Sequence, residues 1–255
     1  MQFTKACLLA LAVSTSSLVA QEDTNLEFEA GVDYVTDYIW RGFTQSKNTN
    51  YQPWLNWSTG NWSGSFWGTY DTGTQNYIND FSSDWLKVDS SFAYTWRQKK
   101  SSFELGYIYY AFHDDYFDTH EIYGKYTWEA DFNPIASIYY DFDFNKGAYV
   151  SLDLSKSKKD RNWEYEAGVN FGYLSGFGET GTDIKKINGI TQAPFGLNSY
   201  SGMAAINPRI VLKKHLDDES TFSLSLTGNI IPNKDTYKNI ETDTMVWGMS
   251  YALSF

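Results

Sequence analysis

Three histidines are the residues of this sequence that could most directly carry catalytic chemistry. They are His113, His120 and His215, and none is followed by a serine two positions later. A lipid-facing hydrolase would need a histidine and a serine at that spacing, with an Asn or Asp on a neighbouring strand, so that a base can activate the hydroxyl. Because no histidine meets this requirement, we expect no enzyme activity.

Two further motifs could bind a metal ion or a nucleotide. Residues 113–120 contain two histidines and three aspartates, which are suitable ligands for a divalent ion, but a solvated acidic loop has the same composition. Residues 176–181 spell GxGxxG, a motif that binds dinucleotides only between a buried strand and a helix. The following stretch, 183–198, contains Asn-Gly, Pro and Gly and has no helical pattern. We therefore expect neither a metal nor a cofactor.

Most other charged residues alternate with apolar residues, which places them on the polar face of a strand. Asp141 and Asp143 could be the paired carboxylates of a glycosidase, but their spacing of two residues is better explained by such a face. Acidic residues outnumber basic residues on these faces, so a lumen that they line would favour cations. The candidate lumen-lining residues are Glu29, Asp33, Asp37, Arg41, Asp89, Lys125, Asp141, Asp143 and Arg209.

Twelve segments of alternating polarity follow one another along the chain, and a period of two is typical of β-strands. Their lengths fit the ~9–11 residues with which a tilted strand crosses a bilayer. Pro53 and Pro208 lie inside two of them and predict a bulge or a strand end, because proline cannot donate to a ladder. The predicted strands are 25–43, 51–58, 62–71, 85–97, 103–112, 121–129, 135–144, 148–157, 163–174, 202–213, 221–231 and 243–255.

The connections between these segments alternate in length. Short connections are predicted at 59–61, 98–102, 131–134, 158–162 and 215–220, and mostly longer ones at 45–50, 73–84, 113–120, 175–201 and 232–242. Only the short turn 145–147 departs from this pattern. Short periplasmic turns and longer extracellular loops are typical of outer-membrane barrels. The fold prediction is therefore all-β: one transmembrane, antiparallel, up-and-down β-barrel of about 12 strands.

Composition supports this fold class and excludes several functions. Aromatic residues make up 18% of the chain, more than a soluble core requires, whereas two interfacial girdles around a barrel would use them. The formal net charge of −11 argues against nucleic-acid binding, which needs a basic face, and against attraction to anionic lipid through a polybasic patch.

The first twenty residues have the features of a secretory signal peptide. Lys5 provides a positive start, residues 6–13 are apolar, and Ala20 is a small residue before the expected cleavage site. The predicted organisation is a signal peptide, 1–20, followed by the barrel, 21–255. The single cysteine, Cys7, lies in the signal, so the mature chain can form neither disulfides nor thiolate metal sites.

Two stretches carry a resemblance to known proteins. In 243–255, large apolar residues alternate and end on Phe255, which resembles the last strand of bacterial outer-membrane barrels. This resemblance implies recognition by the barrel-assembly machinery and a Gram-negative outer-membrane location. Residues 31–46 resemble the opening strand of Gcw_chp, a proteobacterial family of exported proteins, and imply an envelope β-protein without catalytic residues. The matching positions are Val35, Thr36, Tyr38, Arg41, Gly42 and Gln45, with Thr36 and Thr44 where the family has Ser.

Twelve strands make a barrel wider than the side-chain-filled eight-stranded size and narrower than the open porins of sixteen or more. We therefore expect a narrow porin-like channel, embedded in outer-membrane lipid, that passes small-molecule solutes with a preference for cations. The alternative is a structural or adhesion barrel whose lumen charges pair and block passage, and this alternative predicts no conductance. A soluble exported β-sandwich is a third hypothesis, and it would be recovered without detergent.

Overall fold

Alternating polarity produces twelve long strands, which close into an antiparallel barrel in the computed structural model. The structure describes residues 25–73, 84–113, 118–144, 146–177, 186–187, 190–191, 200–232 and 243–255. The described strands are β1 (Glu27–Val35), β2 (Tyr38–Trp40), β3 (Phe43–Ser46), β4 (Asn50–Thr59), β5 (Trp62–Asp71), β6 (Asp84–Gln98), β7 (Ser101–Phe112), β8 (Thr119–Trp128), β9 (Ile135–Asp141), β10 (Ala148–Asp160), β11 (Trp163–Phe177), β12 (Lys186–Ile187), β13 (Ile190–Thr191), β14 (Tyr200–His215), β15 (Ser220–Asn229) and β16 (Thr244–Ser254).

The barrel consists of β1, β4 to β11 and β14 to β16, while β2–β3 and β12–β13 form separate two-stranded hairpins. We call the end of the barrel that holds Glu27 and Ser254 the terminal end, and the opposite end the loop end. The connections at the terminal end are the short stretches 60–61, 99–100, 129–134, 161–162 and 216–219. The twelve-stranded barrel and the sorting of its connections are thus confirmed. Within the described ranges, no helix is long and apolar enough to cross a bilayer.

The barrel closes where β1 pairs with β16, with Val32 opposite Tyr251. Beyond the last ladder pair, Phe28 and Phe255 exchange two backbone hydrogen bonds of 2.9 Å. Their rings stack with centroids 5.8 Å apart. Closure satisfies the backbone groups that an open sheet edge would leave unpaired, which is a requirement for strands surrounded by lipid.

The outer face of the barrel is apolar and has an aromatic girdle near each end, as the composition predicts. The exposed aromatic residues near the terminal end are Trp62, Trp96, Phe103, Tyr126, Trp128, Trp163 and Tyr165. Those near the loop end are Tyr51, Tyr140, Phe142, Tyr173 and Trp247. Between the two girdles lie exposed aliphatic side chains, among them Leu105, Ile138, Val150, Leu152, Ile210, Leu224 and Met249.

The prediction of a bulge or a strand end at the two prolines is wrong: both lie inside continuous strands, and each interrupts one ladder without a change of register. Pro53 pairs with Val32 of β1, but the ladder between β4 and β5 passes from Tyr51 directly to Trp54. Likewise, the β14–β15 ladder stops at Arg209, next to Pro208. On one side of each proline the ladder therefore has a gap, where the missing N–H would have donated. On the other side the proline remains paired with the neighbouring strand.

The predicted first strand, 25–43, is wrong beyond Val35. After a bend at 36–37, the chain forms the β2–β3 hairpin inside the barrel, and Tyr38 is only 7% exposed although alternation predicted a lipid-facing position. The chain reverses because Arg41 and Gly42 have φ values of 52° and 89°, and long-range contacts hold the resulting hairpin inside the barrel. The predicted strand 135–144 also ends earlier, at Asp141.

Replacing Gly31 by alanine should destabilise the closure of the barrel. A Cβ at this position would lie 2.5 Å from the Trp54 ring and 2.6 Å from the backbone oxygen of Tyr251. Since backbone cannot move aside easily, we expect the free energy of unfolding to fall by about 1–3 kcal/mol. The measurement is denaturant unfolding of the detergent-folded barrel. The control is Gly124→Ala, whose new Cβ would find its nearest neighbour at 3.6 Å; equal stability of the two variants would contradict the packing.

Candidate functional site

The most distinctive internal feature of the barrel is the β2–β3 hairpin. Trp40 pairs with Phe43 around the two-residue turn Arg41-Gly42, and both turn residues have positive φ, as a type I′ turn requires. A side chain at Gly42 would meet the Ala205 Cβ at 2.9 Å and the Ala204 carbonyl oxygen at 3.0 Å. Glycine is therefore required here both by the turn and by the close approach to the barrel wall.

An apolar cluster holds one side of the hairpin against the inner wall. Phe43 is 2% exposed and packs at the loop end of the lumen. Between β11 and β14 the register shifts, which leaves Ala204 as an extra residue facing the hairpin tip. The buried members of the cluster are Phe43, Tyr149, Leu174, Ala204, Ala205 and Ile231. Burying one Phe side chain contributes about 1.5–3 kcal/mol, so this cluster favours the inward position of the hairpin.

An ion pair holds the hairpin from the opposite side. Arg41 Nη1 and Nη2 donate to the two carboxylate oxygens of Glu121 at 2.5 and 2.6 Å. The two side chains are 6% and 0% exposed, and the Tyr110 hydroxyl donates a third hydrogen bond to Glu121 at 2.7 Å. Burial works against the charge of Arg41, but the Glu121 carboxylate outweighs it and raises the pKa of the guanidinium above its usual value.

The hairpin therefore spans the lumen from wall to wall. Glu121 lies on β8, whereas Asn229, at the end of β15, donates from Nδ2 to the Gly42 carbonyl oxygen at 3.1 Å. Three rings surround the Arg41 guanidinium, with its carbon 4.6 Å from the Trp40 centroid, 4.7 Å from Tyr149 and 5.0 Å from Tyr139. Such cation–π contacts are stronger where water is excluded. The lumen is narrowed by a fixed element at this level.

A second buried cation lies beside the hairpin. Lys87 on β6 is 3% exposed, and its Nζ lies 3.0 Å from Asp89 Oδ2. The same ammonium group lies 4.5 Å from the Trp40 ring centroid, 4.6 Å from Tyr110 and 5.3 Å from Trp67. The other carboxylate oxygen of Asp89, Oδ1, is buried and has no hydrogen-bond partner among the described residues.

Further ion pairs join nearby strands on the inner face of the barrel, closer to the terminal end. Lys125 Nζ lies 2.9 Å from Glu104, and Arg209 contacts Asp153 at 2.6 Å and Glu166 at 3.0 Å. Arg41, Asp89, Lys125 and Arg209, all candidates from the sequence, are thus side chains of internal ion pairs. Their pairing reduces the net negative charge of this part of the lumen.

The acidic excess is found at the terminal end. A cavity of about 700 Å³ opens there, lined by Glu27, Glu29, Asp218 and Glu219, and none of the described residues that line it is a Lys or Arg. We call this cavity the acidic mouth.

Two other candidates from the sequence lie outside this cavity. Asp33 accepts a hydrogen bond from Trp54 Nε1 at 3.2 Å, and Asp37 lies in the bend after β1.

Asp217 shapes the turn that contributes to the acidic mouth. It accepts hydrogen bonds from the Ser220 hydroxyl at 2.7 Å, the Ser220 N–H at 2.6 Å and the Glu219 N–H at 3.0 Å. These bonds, above all the one from the Ser220 hydroxyl, lower the pKa of Asp217. The turn is therefore pinned by a carboxylate that remains ionised in mildly acidic solution.

Two candidates do not face an open lumen. Asp141 is fully buried and accepts hydrogen bonds from the Thr119 hydroxyl at 2.8 Å and the Asp143 N–H at 3.0 Å. Asp143 lies beyond the end of β9, and its side chain is 56% exposed and 3.8 Å from His120. The interpretation of this pair as one polar strand face is wrong because the strand ends before the second aspartate.

The remaining sequence motifs lie partly outside the described residues. In 113–120, Asp114 and Asp115 are not described, while Asp118 accepts hydrogen bonds from the Tyr109 hydroxyl and the Phe112 N–H. Of the GxGxxG stretch, only the first two residues, at the end of β11, are described. Most of the loop 175–201, which could have narrowed the pore or met a partner, also lies outside the described ranges.

A second cavity, of about 550 Å³, lies beside the hairpin, and we call it the aromatic chamber. Ser65 and Ser91 line both this chamber and the acidic mouth, so the two cavities adjoin. The aromatic side chains that line the chamber are Tyr38, Trp40, Trp67, Tyr110, Tyr123, Tyr139 and Tyr149. Tyr38 and Trp40 were not among the residues predicted to line the lumen, and Arg41-Gly42 is not one of the usual Asn-Gly or Asp-Gly hairpin signals.

Comparison with known proteins supports the fold. No protein-family model and no curated protein matches the sequence. Among solved structures, the NanC porin superposes with a TM-score of 0.50 and 12% identity over 90% of this chain and 99% of the porin. An outer-membrane channel from Pseudomonas putida F1 gives a TM-score of 0.52 and 9% identity over 95% of this chain and 99% of the channel. The chain thus has a porin-like barrel fold, while the resemblance to Gcw_chp stays a prediction.

Replacing Glu121 by glutamine should strongly destabilise the seated hairpin. The change leaves the buried Arg41 guanidinium without its carboxylate, and breaking such a pair typically costs about 3–5 kcal/mol in the free energy of unfolding. The control is Glu104→Gln, which removes the carboxylate partner of the more exposed Lys125. Denaturant unfolding of both variants is the measurement, and a loss for Glu121→Gln no larger than for Glu104→Gln would show that the ion pair does not hold the hairpin.

Proposed function

We propose that this protein is a narrow channel of the bacterial outer membrane, which passes small solutes through the lumen and past the β2–β3 hairpin. The observation that carries the proposal is a polar interior inside an apolar, aromatic-girdled outer face. A barrel with this distribution of side chains is suited to lipid outside and water inside. The predicted signal peptide, and the resemblance of 243–255 to the last strand of outer-membrane barrels, support export and assembly by the barrel-assembly machinery as part of this proposal.

The hairpin is the proposed constriction. The lumen contains two adjoining cavities, the acidic mouth at the terminal end and the aromatic chamber further inside, and the hairpin lines the second. The hairpin rings of Tyr38 and Trp40 contact Trp67 and Tyr110 of the wall, with centroids 5.6 and 5.5 Å apart, so the passage of a solute requires these rings to move. The hairpin keeps a defined position because an ion pair and an apolar cluster hold its two sides.

Cation preference is proposed to arise at the acidic mouth. Several carboxylates elsewhere in the lumen are paired with Arg or Lys, and paired charges create little net potential. At the mouth, Glu27, Glu29, Asp218 and Glu219 have no cationic neighbour in the cavity lining. Fixed charge of one sign around a low-dielectric opening raises the local concentration of counter-ions.

The test is electrical recording of the detergent-extracted, refolded protein in a planar bilayer. We expect stable conductance steps smaller than those of wide porins and a reversal potential of the sign that indicates cation preference. A folded, heat-modifiable protein that carries no current would contradict the channel. That result would favour the structural or adhesion barrel, for which the filled loop end of the lumen is the supporting observation.

The triple variant Glu27→Gln/Glu29→Gln/Glu219→Gln should lose most of its cation preference. In about 0.1 M salt the permeability ratio should approach one, because the charges that concentrate cations are removed. The difference from the unmodified protein should shrink near 1 M salt, where the Debye length is about 3 Å.

A matched control removes the same number of charges outside the acidic mouth. Glu129, Asp131 and Asp160 are exposed near the terminal end and do not line the mouth cavity. Their neutralisation should leave the reversal potential nearly unchanged. If both triple variants shift it equally, selectivity depends on overall charge and the acidic mouth has no special role.

A further inference from the structure

The aromatic chamber has the features of a ligand site as well as of a passage. Its volume of about 550 Å³ lies within the range of small-molecule pockets, roughly 300–1,000 Å³. Rings approach it from two sides, since Trp40 belongs to the hairpin while Trp67 and Tyr110 belong to the wall. We propose that the chamber binds a neutral, polyhydroxylated solute of the size of a mono- or disaccharide.

The aromatic lining suits the flat face of a sugar ring. A pyranose carries C–H groups on its faces and hydroxyls around its rim, so it can pack on a ring and still form hydrogen bonds. Tyr and Trp offer an apolar face together with a polar group. Ser151 and Asn170 add hydrogen-bonding side chains to the lining of the chamber.

The charges of the chamber favour a neutral solute. Arg41 is bonded to Glu121, Lys87 to Asp89 and Lys125 to Glu104, so every cation that lines the chamber already has an anionic partner. A charged solute would have to compete with one of these pairs and leave a buried charge without its partner, which is costly. A neutral solute incurs no such cost.

One atom of the chamber specifically requires a hydrogen-bond donor. Asp89 lines the cavity, and its Oδ1 is buried without a partner while Oδ2 contacts Lys87. A buried acceptor that lacks a hydrogen bond is destabilising. A solute hydroxyl directed at Oδ1 would supply the missing donor, which makes Asp89 the proposed anchor for the hydroxyl rim.

This inference rests on the proposed function only because a solute must reach the chamber through the lumen. Binding can therefore be measured without recording a current. The experiment is isothermal titration of the refolded protein in detergent with glucose and maltose, and with choline and gluconate as charged comparators. We expect saturable binding of at least one sugar, and we expect both charged solutes to bind at least tenfold more weakly than that sugar. Saturable binding of choline at the same strength as the sugars would overturn the proposal, and so would the absence of sugar binding.

Two variants and two controls test the location of the site. Asp89→Asn converts the acceptor into an amide, and Trp67→Leu removes a ring from the wall; each should weaken sugar binding at least tenfold. The controls are Asp153→Asn, which leaves Arg209 paired with Glu166, and Trp62→Leu on the outer face, and both should bind as the unmodified protein does. Equal loss in variants and controls would refute the assigned site.

The titration and the bilayer recording separate two failures. Sugar binding without current would leave the chamber intact and contradict the channel. Current without sugar binding would leave the channel intact and contradict the chamber. The titration of the unmodified protein decides the chamber proposal even if a variant does not fold, and folding of each variant is checked by its heat-modifiable mobility.

Discussion

A buried guanidinium must be paired, and this requirement organises the loop end of the barrel. Arg41 sits on a turn with a positive φ that few residues other than glycine adopt readily, and its charge is almost fully removed from water. Only a carboxylate in bidentate contact can balance the desolvation of such a group, and Glu121 supplies it from β8. The position of the hairpin, and hence the width of the lumen, follows from this contact.

The pairing of buried charges also affects how charge is distributed along the lumen. Ion pairs on the inner wall use the available Arg and Lys side chains, from Arg41 near the loop end to Arg209 closer to the terminal end. Carboxylates in excess of these pairs remain at the acidic mouth, where water can solvate them. The interior thus combines a region of ion pairs with an opening lined by acidic side chains, the two regions to which we assign the proposed binding of neutral solutes and the proposed attraction of cations.

Much of the barrel could be predicted from the sequence because alternation reports a local property. A strand with one face in lipid must alternate, and the segments 62–71 and 163–174 were placed correctly on that basis alone. At Pro53 the missing N–H produces only a gap in one ladder, and neither the predicted bulge nor a strand end is present. These features depend on neighbouring residues of the chain and on the period of a strand.

The inner hairpin could not be predicted in the same way. Tyr38 and Trp40 continue the alternate apolar positions of β1 and are flanked by Asp37 and Arg41, so polarity alone assigns them to the wrong side of the wall. Their true position depends on Glu121, which lies 80 residues after Arg41. The predicted strand 135–144 contains a different error. The alternation of polarity continues to Asp143, but β9 ends at Asp141. A periodic pattern gives no information about contacts between distant residues or about where a strand ends.

The most direct test of this account is the single-channel conductance of a protein without the hairpin. Val35 and Asn50 are paired neighbours on β1 and β4, so residues 38–46 can be removed and Asp37 joined to Lys47 through two glycines without breaking the barrel. If the hairpin sets the width of the lumen, the conductance of the shortened protein should rise several-fold above that of the full chain. Equal conductance of the two proteins would contradict the central claim, because the narrowest point would then lie elsewhere.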